Sequence, residues 1–295
     1  MPVNDISAHT FSKAVRATLL ASLVVLPPLS FSATVMQTNE IERQQARLTS
    51  QSAEERRDAV QRLGTLKRSD ASRVAATALS DSAAIVRATA ARAVLALPPE
   101  EAATAILPLL RDREEFVRQQ ASYALGGTRV RMNVPALINV LSQDKSAGVR
   151  GAAAVALGEI GDEAATIPLT QVLSKRIRAS GVLNRVRRRT VAENEFVRRS
   201  AARALGQIGS RAAVPALTTA LTDQTNSDDV RREATRALGL IGDPAAISPL
   251  QSALAAPDPF LSRIAFEALQ KISPVVATQP QIIASPKKSS VKSKH

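Results

Sequence analysis

The chain has 295 residues, a formal net charge of +13, and 45% hydrophobic residues that are mostly Ala, Leu and Val. It contains no Cys, no Trp, one Tyr and two His, His9 and His295. This excludes disulfides, thiolate metal sites, a cysteine nucleophile and a lipid-modified N-terminal cysteine, and leaves no well-placed imidazole base. Small aliphatic side chains favour closely packed helices over a sheet sandwich. The positive charge is local: residues 174–196 carry seven Lys/Arg against Glu193 and Glu195, and the tail from Gln279 carries four lysines and no acid.

At the amino terminus, Lys13 and Arg16 precede the apolar run Ala17–Leu26, then Pro27-Pro28 and Ser30-Phe31-Ser32-Ala33. A basic start, a run of ~10 apolar residues and small residues beyond form the pattern of a secretory signal peptide. Ser32 and Ser30 fit the small-residue places of a cleavage after Ser32, and the run is too short to span a bilayer. The expectation is an exported bacterial protein, periplasmic or extracellular, with residues 1–32 removed and no transmembrane helix in the mature chain. Residues 33–52 read as a polar lead-in.

From there the chain repeats itself. Val-Arg pairs stand at 86–87, 117–118, 149–150, 197–198 and 230–231, with Glu55-Arg56 and Leu261 as weaker ends. Four residues into each unit stand Ala59, Ala90, Ala121, Ala153, Ala201, Ala234 and Ala265, and eight residues in stand Leu63, Val94, Leu125, Leu157, Leu205, Leu238 and Leu269. Offsets of 0, 4, 7 and 8 form one stripe of a 3.6-residue helix. A second stripe, as in Leu137/Val140/Leu141 or Leu217/Ala220/Leu221, marks a second helix. Gly161-Asp162, Gly209-Ser210 and Gly242-Asp243 lie between the two, Gly to end the first helix and Asp or Ser to cap the second. Each unit is therefore helix A, a tight turn and helix B, and 53–273 is one all-α stack with the basic insertion 174–196.

The stretches VRGAAAVALGEIGDEAATIPLTQVL (149–173), VRRSAARALGQIGSRAAVPALTTAL (197–221) and VRREATRALGLIGDPAAISPLQSAL (230–254) closely resemble the short HEAT repeats typified by phycobilisome-lyase-like proteins. The resemblance implies a right-handed α-solenoid of about seven stacked HEAT hairpins, the last incomplete. It also implies a ladder of an Asp between units and an Arg early in the next helix A: Asp81/Arg87, Asp112/Arg118, Asp144/Arg150 and, two residues wider, Asp223/Arg231. Phe116, Phe196 and Phe260 recur before the unit starts and are expected to pack between units.

Outside this pattern stands the insertion. Lys175, Arg176 and Arg178 are expected to continue helix B until Ser180-Gly181 breaks it, and Arg185, Arg187, Arg188 and Arg189 form a second cluster. Two readings remain for it, a solvated loop or an anion-facing patch. No aromatic interleaves with the arginines, which argues against a base-stacking platform. Asn139, Gln171, Thr219 and Ser252 share one register of helix B, the inner curve of HEAT arrays, and would form a mild partner-binding surface. The tail 274–295 is expected to be disordered and basic. No titratable set converges as an active site, so no catalytic, cofactor or metal residues are expected. The reading is a non-catalytic protein–protein interaction scaffold with another protein, acidic by charge complementarity, as partner. The alternatives are a lyase-type or chaperone accessory subunit, or polyanion or nucleic-acid binding through the insertion.

Overall fold

The computed structural model describes residues 39–174, 176–178 and 190–275. The chain divides into two units, Met1–Asn39 and Glu40–His295, and the described residues after Asn39 all lie in the second. Helix α1 covers residues 39–47. Six hairpins follow. They are α2 (Ala53–Thr65) with α3 (Ser69–Ala76), α4 (Ala84–Ala93) with α5 (Pro99–Ile106), and α6 (Glu115–Thr128) with α7 (Val134–Gln143). Next come α8 (Ala147–Ile160) with α9 (Thr166–Ser174), α10 (Glu195–Ile208) with α11 (Val214–Thr222), and α12 (Asp228–Ile241) with α13 (Ile247–Ala253). A lone α14 (Pro259–Ile272) closes the stack. This is an α-solenoid of six hairpins and a half.

The local chemistry follows the repeat. Helices α8, α10 and α12 end on Gly161, Gly209 and Gly242 at φ of 71°, 76° and 72°, a left-handed turn that lets each cap N–H bond back to the helix. Asp162 and Asp243 then accept from the N–H of Ala164 and Ala245, opening helix B through one tight 3-10 turn. The predicted stripes form the core: Leu63, Leu125, Leu157, Leu205, Leu238 and Leu269 are fully buried, and the alanines between them let neighbouring A helices approach. One cluster gathers the start of the chain from Ile41 to Ala93, and a second runs from Ala88 to Leu269, with α4 contributing to both.

Glycine makes the approach closer still. One residue after the buried Leu of helix A stand Gly64, Gly126, Gly158, Gly206 and Gly239. A Cβ on Gly206 would lie 2.8 Å from the Ala237 backbone, and one on Gly158 would lie 2.8 Å from that of Ala204. No side chain fits there without moving a main chain.

One expectation needs correction, and one region is filled in. Within the polar lead-in 33–52, residues 39–47 form α1. Ile41, Gln44 and Leu48 fall on one helical stripe, and Ile41 and Gln44 are buried against the first hairpin. The basic residues after Ser174 do not continue helix B. That helix stops at Ser174, and Arg176–Arg178 forms a strand (β1) antiparallel to Thr190–Ala192 (β2) with Ile177 opposite Val191. Charged-apolar-charged alternation over 176–178 is the period of two of a strand, not the 3.6 of a helix.

Candidate interaction surfaces

The ladder arginines are the most buried cations described. Arg87 donates through Nε and Nη2 to the Asp112 carboxylate at 2.7 and 2.8 Å, and through Nη1 to the carbonyls of Asp81 and Ser82. Arg118 does the same with Asp144 at 2.7 and 3.1 Å and with the Asp112 carbonyl. Arg56 repeats the fork on Asp81. Residues six apart therefore meet through the backbone carbonyl, and the carboxylate fork comes from the Arg of the preceding unit, 25 or 26 positions upstream. Each carboxylate also accepts from the N–H two residues on, at Ala83, Glu114 and Ser146. The arginine bonds outweigh burial and hold Asp81 and Asp112 below the usual carboxylate range, and Asp144 is lowered too although burial opposes it most.

The rungs beside the insertion are built from other groups. Arg150 donates Nη2 to Glu193 at 2.6 Å, and its Nε is buried without a hydrogen-bond partner, where the second oxygen of an Asp fork would stand. Arg198 donates Nη2 to the amide oxygen of Asn226 and Nε to the Leu173 carbonyl at the end of helix B. Burial pushes the Arg198 guanidinium below its usual range, partly offset by Asp223 and Glu195. Arg231 turns to the Leu221 carbonyl and Asp228, and the bidentate role passes to its neighbour Arg232, which forks Asp258 at 2.7 and 2.8 Å. Asp223 caps its own loop by accepting from the Thr225 N–H and hydroxyl.

Among the described residues no group of three His, Cys, Asp or Glu could hold a metal ion, and no helix is long and apolar enough to cross a membrane. Profiles of HEAT repeats match residues 42–126, 104–182 and 224–281, and the PBS lyase HEAT-like repeat matches 197–223. The chain belongs to the HEAT-repeat family. No curated protein sequence matches it. Among solved structures, the HEAT stack resembles YibA of Escherichia coli at 20% identity and a TM-score of 0.55, over 82% of this chain and 85% of that one. The CpcE–CpcF complex of phycocyanin lyase from Nostoc sp. PCC7120 is similar at 24% identity and TM-score 0.48, covering 79% and 88% of the two chains. Human deoxyhypusine hydroxylase, in complex with glycerol, is similar at 20% identity and TM-score 0.38, covering 81% and 98%. Likeness at these identities speaks to fold alone.

Within the HEAT stack, Asn139, Gln171, Thr219 and Ser252 are all exposed on their B helices, in one register from unit to unit. Of the basic insertion, Lys175, Arg185, Arg187, Arg188 and Arg189 lie outside the described residues, while Arg176 and Arg178 are described only as backbone of β1. Residues 1–32 of the expected signal peptide and the tail beyond Val275 lie outside them as well. Two of the three recurring phenylalanines reach across units, the Phe196 ring over Gly151 and the Phe260 ring under Arg232, yet Phe116, Phe196 and Phe260 stay 45%, 40% and 57% exposed. They sit on the outer ridge of the A helices rather than in the core, a position one residue off the buried stripe.

Proposed function

We propose that this chain is a non-catalytic protein–protein interaction scaffold, exported across a bacterial envelope with its signal peptide removed near Ser32. The carrying observation is the ladder: from Arg56 to Asp144 the buried Arg and Asp groups are consumed in inter-unit forks and loop caps. Chemistry at a site needs titratable groups free to converge on a substrate, and here they serve to register one hairpin on the next. What remains for recognition is surface, which in solenoids is extended and shared among units. The helix-B row Asn139–Gln171–Thr219–Ser252 and the basic insertion are the surfaces assigned to a protein partner.

The match of 197–223 to the PBS lyase HEAT-like repeat supports a second reading, an accessory subunit of a chromophore lyase or a chaperone. Expression of the full chain with fractionation, N-terminal sequencing and in-cell crosslinking separates the two. A mature N-terminus at Ala33 and a crosslinked protein partner support the scaffold; retention of residues 1–32 in the cytosol sinks export. Serine substitution of Arg185, Arg187, Arg188 and Arg189 tests the insertion. It is preferable to deletion, because deletion would remove Glu193 from the Arg150 rung. Polyanion binding that persists in the serine variant with the same salt slope removes the insertion as its site.

A further inference from the structure

The outward positions of the A helices differ sharply between the two ends of the stack. On α10, α12 and α14 they close on one another: Arg199 pairs with Asp229 at 3.2 Å, Arg203 and Arg236 with Glu233 at 2.8 and 3.1 Å, and Arg232 lies over the Phe260 ring at 5.2 Å. On α2, α4 and α6 the same registers hold one ion pair, Arg57 with Asp58 on α2 itself, and otherwise Gln61, Ala88, Thr89, Arg92, Gln119, Gln120 and Tyr123. A groove of about 650 Å³ crosses all three helices. Its apolar lining is uncovered: Ile85, Leu95 and Phe116 are 41%, 42% and 45% exposed. Its thirteen lining residues include Arg57, Lys67 and Arg92 and no acid. Arg57 has its neighbour Asp58, whereas Lys67 and Arg92 have no ion-pair partner among the described residues.

A second feature singles out this end. Lys67 ends its helix with φ of 51°, and Arg129 ends α6 with φ of 55°. Gly161, Gly209 and Gly242 occupy the same register in the later units. The left-handed region is one that glycine fills without steric cost and long side chains rarely adopt. The first and third units hold cations there instead, and Lys67 is among the residues that line the groove.

We propose that the groove over α2, α4 and α6 docks a short acidic segment of a partner protein. Its apolar side chains seat on Ile85, Leu95 and Phe116, and its carboxylates face Lys67 and Arg92. The inference rests on the scaffold reading and supplies the chemistry of one partner contact. Ile85 and Phe116 hold the same register on adjacent helices, so they sit roughly 10 Å apart, the spacing of two neighbouring A helices. That is about the span of residues i and i+3 in an extended peptide. The chain's own tail is not the occupant, since its four lysines would meet like charge. A polynucleotide is disfavoured because stacking surfaces need several aromatic faces and Phe116 is the groove's one aromatic residue.

The test pans a random peptide display library on the full chain and counter-selects on the Arg92→Glu/Phe116→Ser variant. Enriched peptides are then titrated by fluorescence anisotropy. All substituted positions are exposed, and a circular dichroism melt checks that each variant keeps the wild-type fold. The expected peptides carry several Asp/Glu beside Leu, Ile or Phe, and they lose affinity as salt rises. Each single substitution should weaken them about tenfold, while Arg211→Glu, an equal charge change at an exposed turn outside the groove, should leave binding within about twofold. Peptides that are neutral or basic, no enrichment at all, or equal binding to Arg92→Glu would each overturn the assignment. So would a dT15 oligonucleotide that binds in a Phe116-dependent way and displaces the peptides. The scaffold reading has a separate readout: if the groove variants still crosslink the cellular partner, only the groove fails.

Discussion

The ladder rungs before the insertion and those beside it solve one problem with different groups. From Arg56 to Asp144 each rung is an Arg–Asp fork whose carboxylate also caps the loop. Beside the insertion a Glu makes a single bond to Arg150 and a neutral amide receives Arg198. A fork fixes two planes against each other, whereas a single bond fixes a distance. The lesson is that a HEAT stack accepts a long insertion where a rung tolerates a looser acceptor.

The sharpest way to break this comparison is Asp112→Ala. Arg87 and Asp112 side chains are each 9% exposed, and removing one partner of a buried pair costs about 3–5 kcal/mol. The urea midpoint should fall accordingly at neutral pH. Acid should act through the same groups. The folded pKa values of Asp81, Asp112 and Asp144 are lowered. Their contribution is therefore complete above the unfolded value of about 4 and is lost as pH falls through the folded values. The deficit of Asp112→Ala against wild type should shrink over that window. A deficit that stays constant with pH would show that the carboxylate charge is not what the fork uses.

Glu193→Gln probes the other kind of rung. The amide can still accept from Arg150 and from the Asn194 N–H, so the loss is that of the carboxylate's charge toward these donors at a site where the Glu193 side chain is 1% exposed. We expect about 2 kcal/mol, less than for Asp112→Ala. Limited proteolysis should then cut first near the insertion. A loss equal to that of Asp112→Ala would erase the distinction between fork and single bond.

The fold was legible because its grammar is local. Stripes at offsets 0, 4, 7 and 8 and the Gly-Asp turns fix each hairpin within about 30 residues, and helix termination at Gly161, Gly209 and Gly242 needs only the chain itself. What was not legible depends on space. Nothing in the spacing of Asp112 and Arg118 says that the carboxylate belongs to Arg87, because that choice is made across a hairpin 25 residues long. The groove is composed from three helices, and its sign emerges only when Lys67, Arg92 and Phe116 are brought together. One signal was present and unread: glycine recurs directly after the buried Leu at 64, 126, 158, 206 and 239. Gly206→Ala tests it. Alanine should gain about 1 kcal/mol of helix propensity, but a Cβ 2.8 Å from the Ala237 backbone forces a main-chain shift. Overpacking of this kind costs roughly 1–3 kcal/mol, so the net is a loss of about 1 kcal/mol. A stabilised Gly206→Ala would mean the stack can dilate freely.

The smallest expected effect resolves the largest. Asp243 caps its turn as Asp112 caps its loop, with Oδ1 accepting an N–H two residues on at 2.9 Å in both cases. Asp243 has in addition only Arg211 at 3.6 Å, an arginine 81% exposed, and such surface pairs contribute little. Asp243→Ala therefore removes a cap and almost nothing else, and should lower stability by about 0.5–1 kcal/mol in a urea titration. Subtracting that from the Asp112→Ala loss leaves the share owed to the Arg87 fork. If the two losses are equal, the rungs are caps that happen to lie beside arginines. If the fork share dominates, the Arg–Asp pairing is what registers one HEAT unit on the next, and the weaker pairing at Glu193 and Asn226 becomes the place where the stack yields.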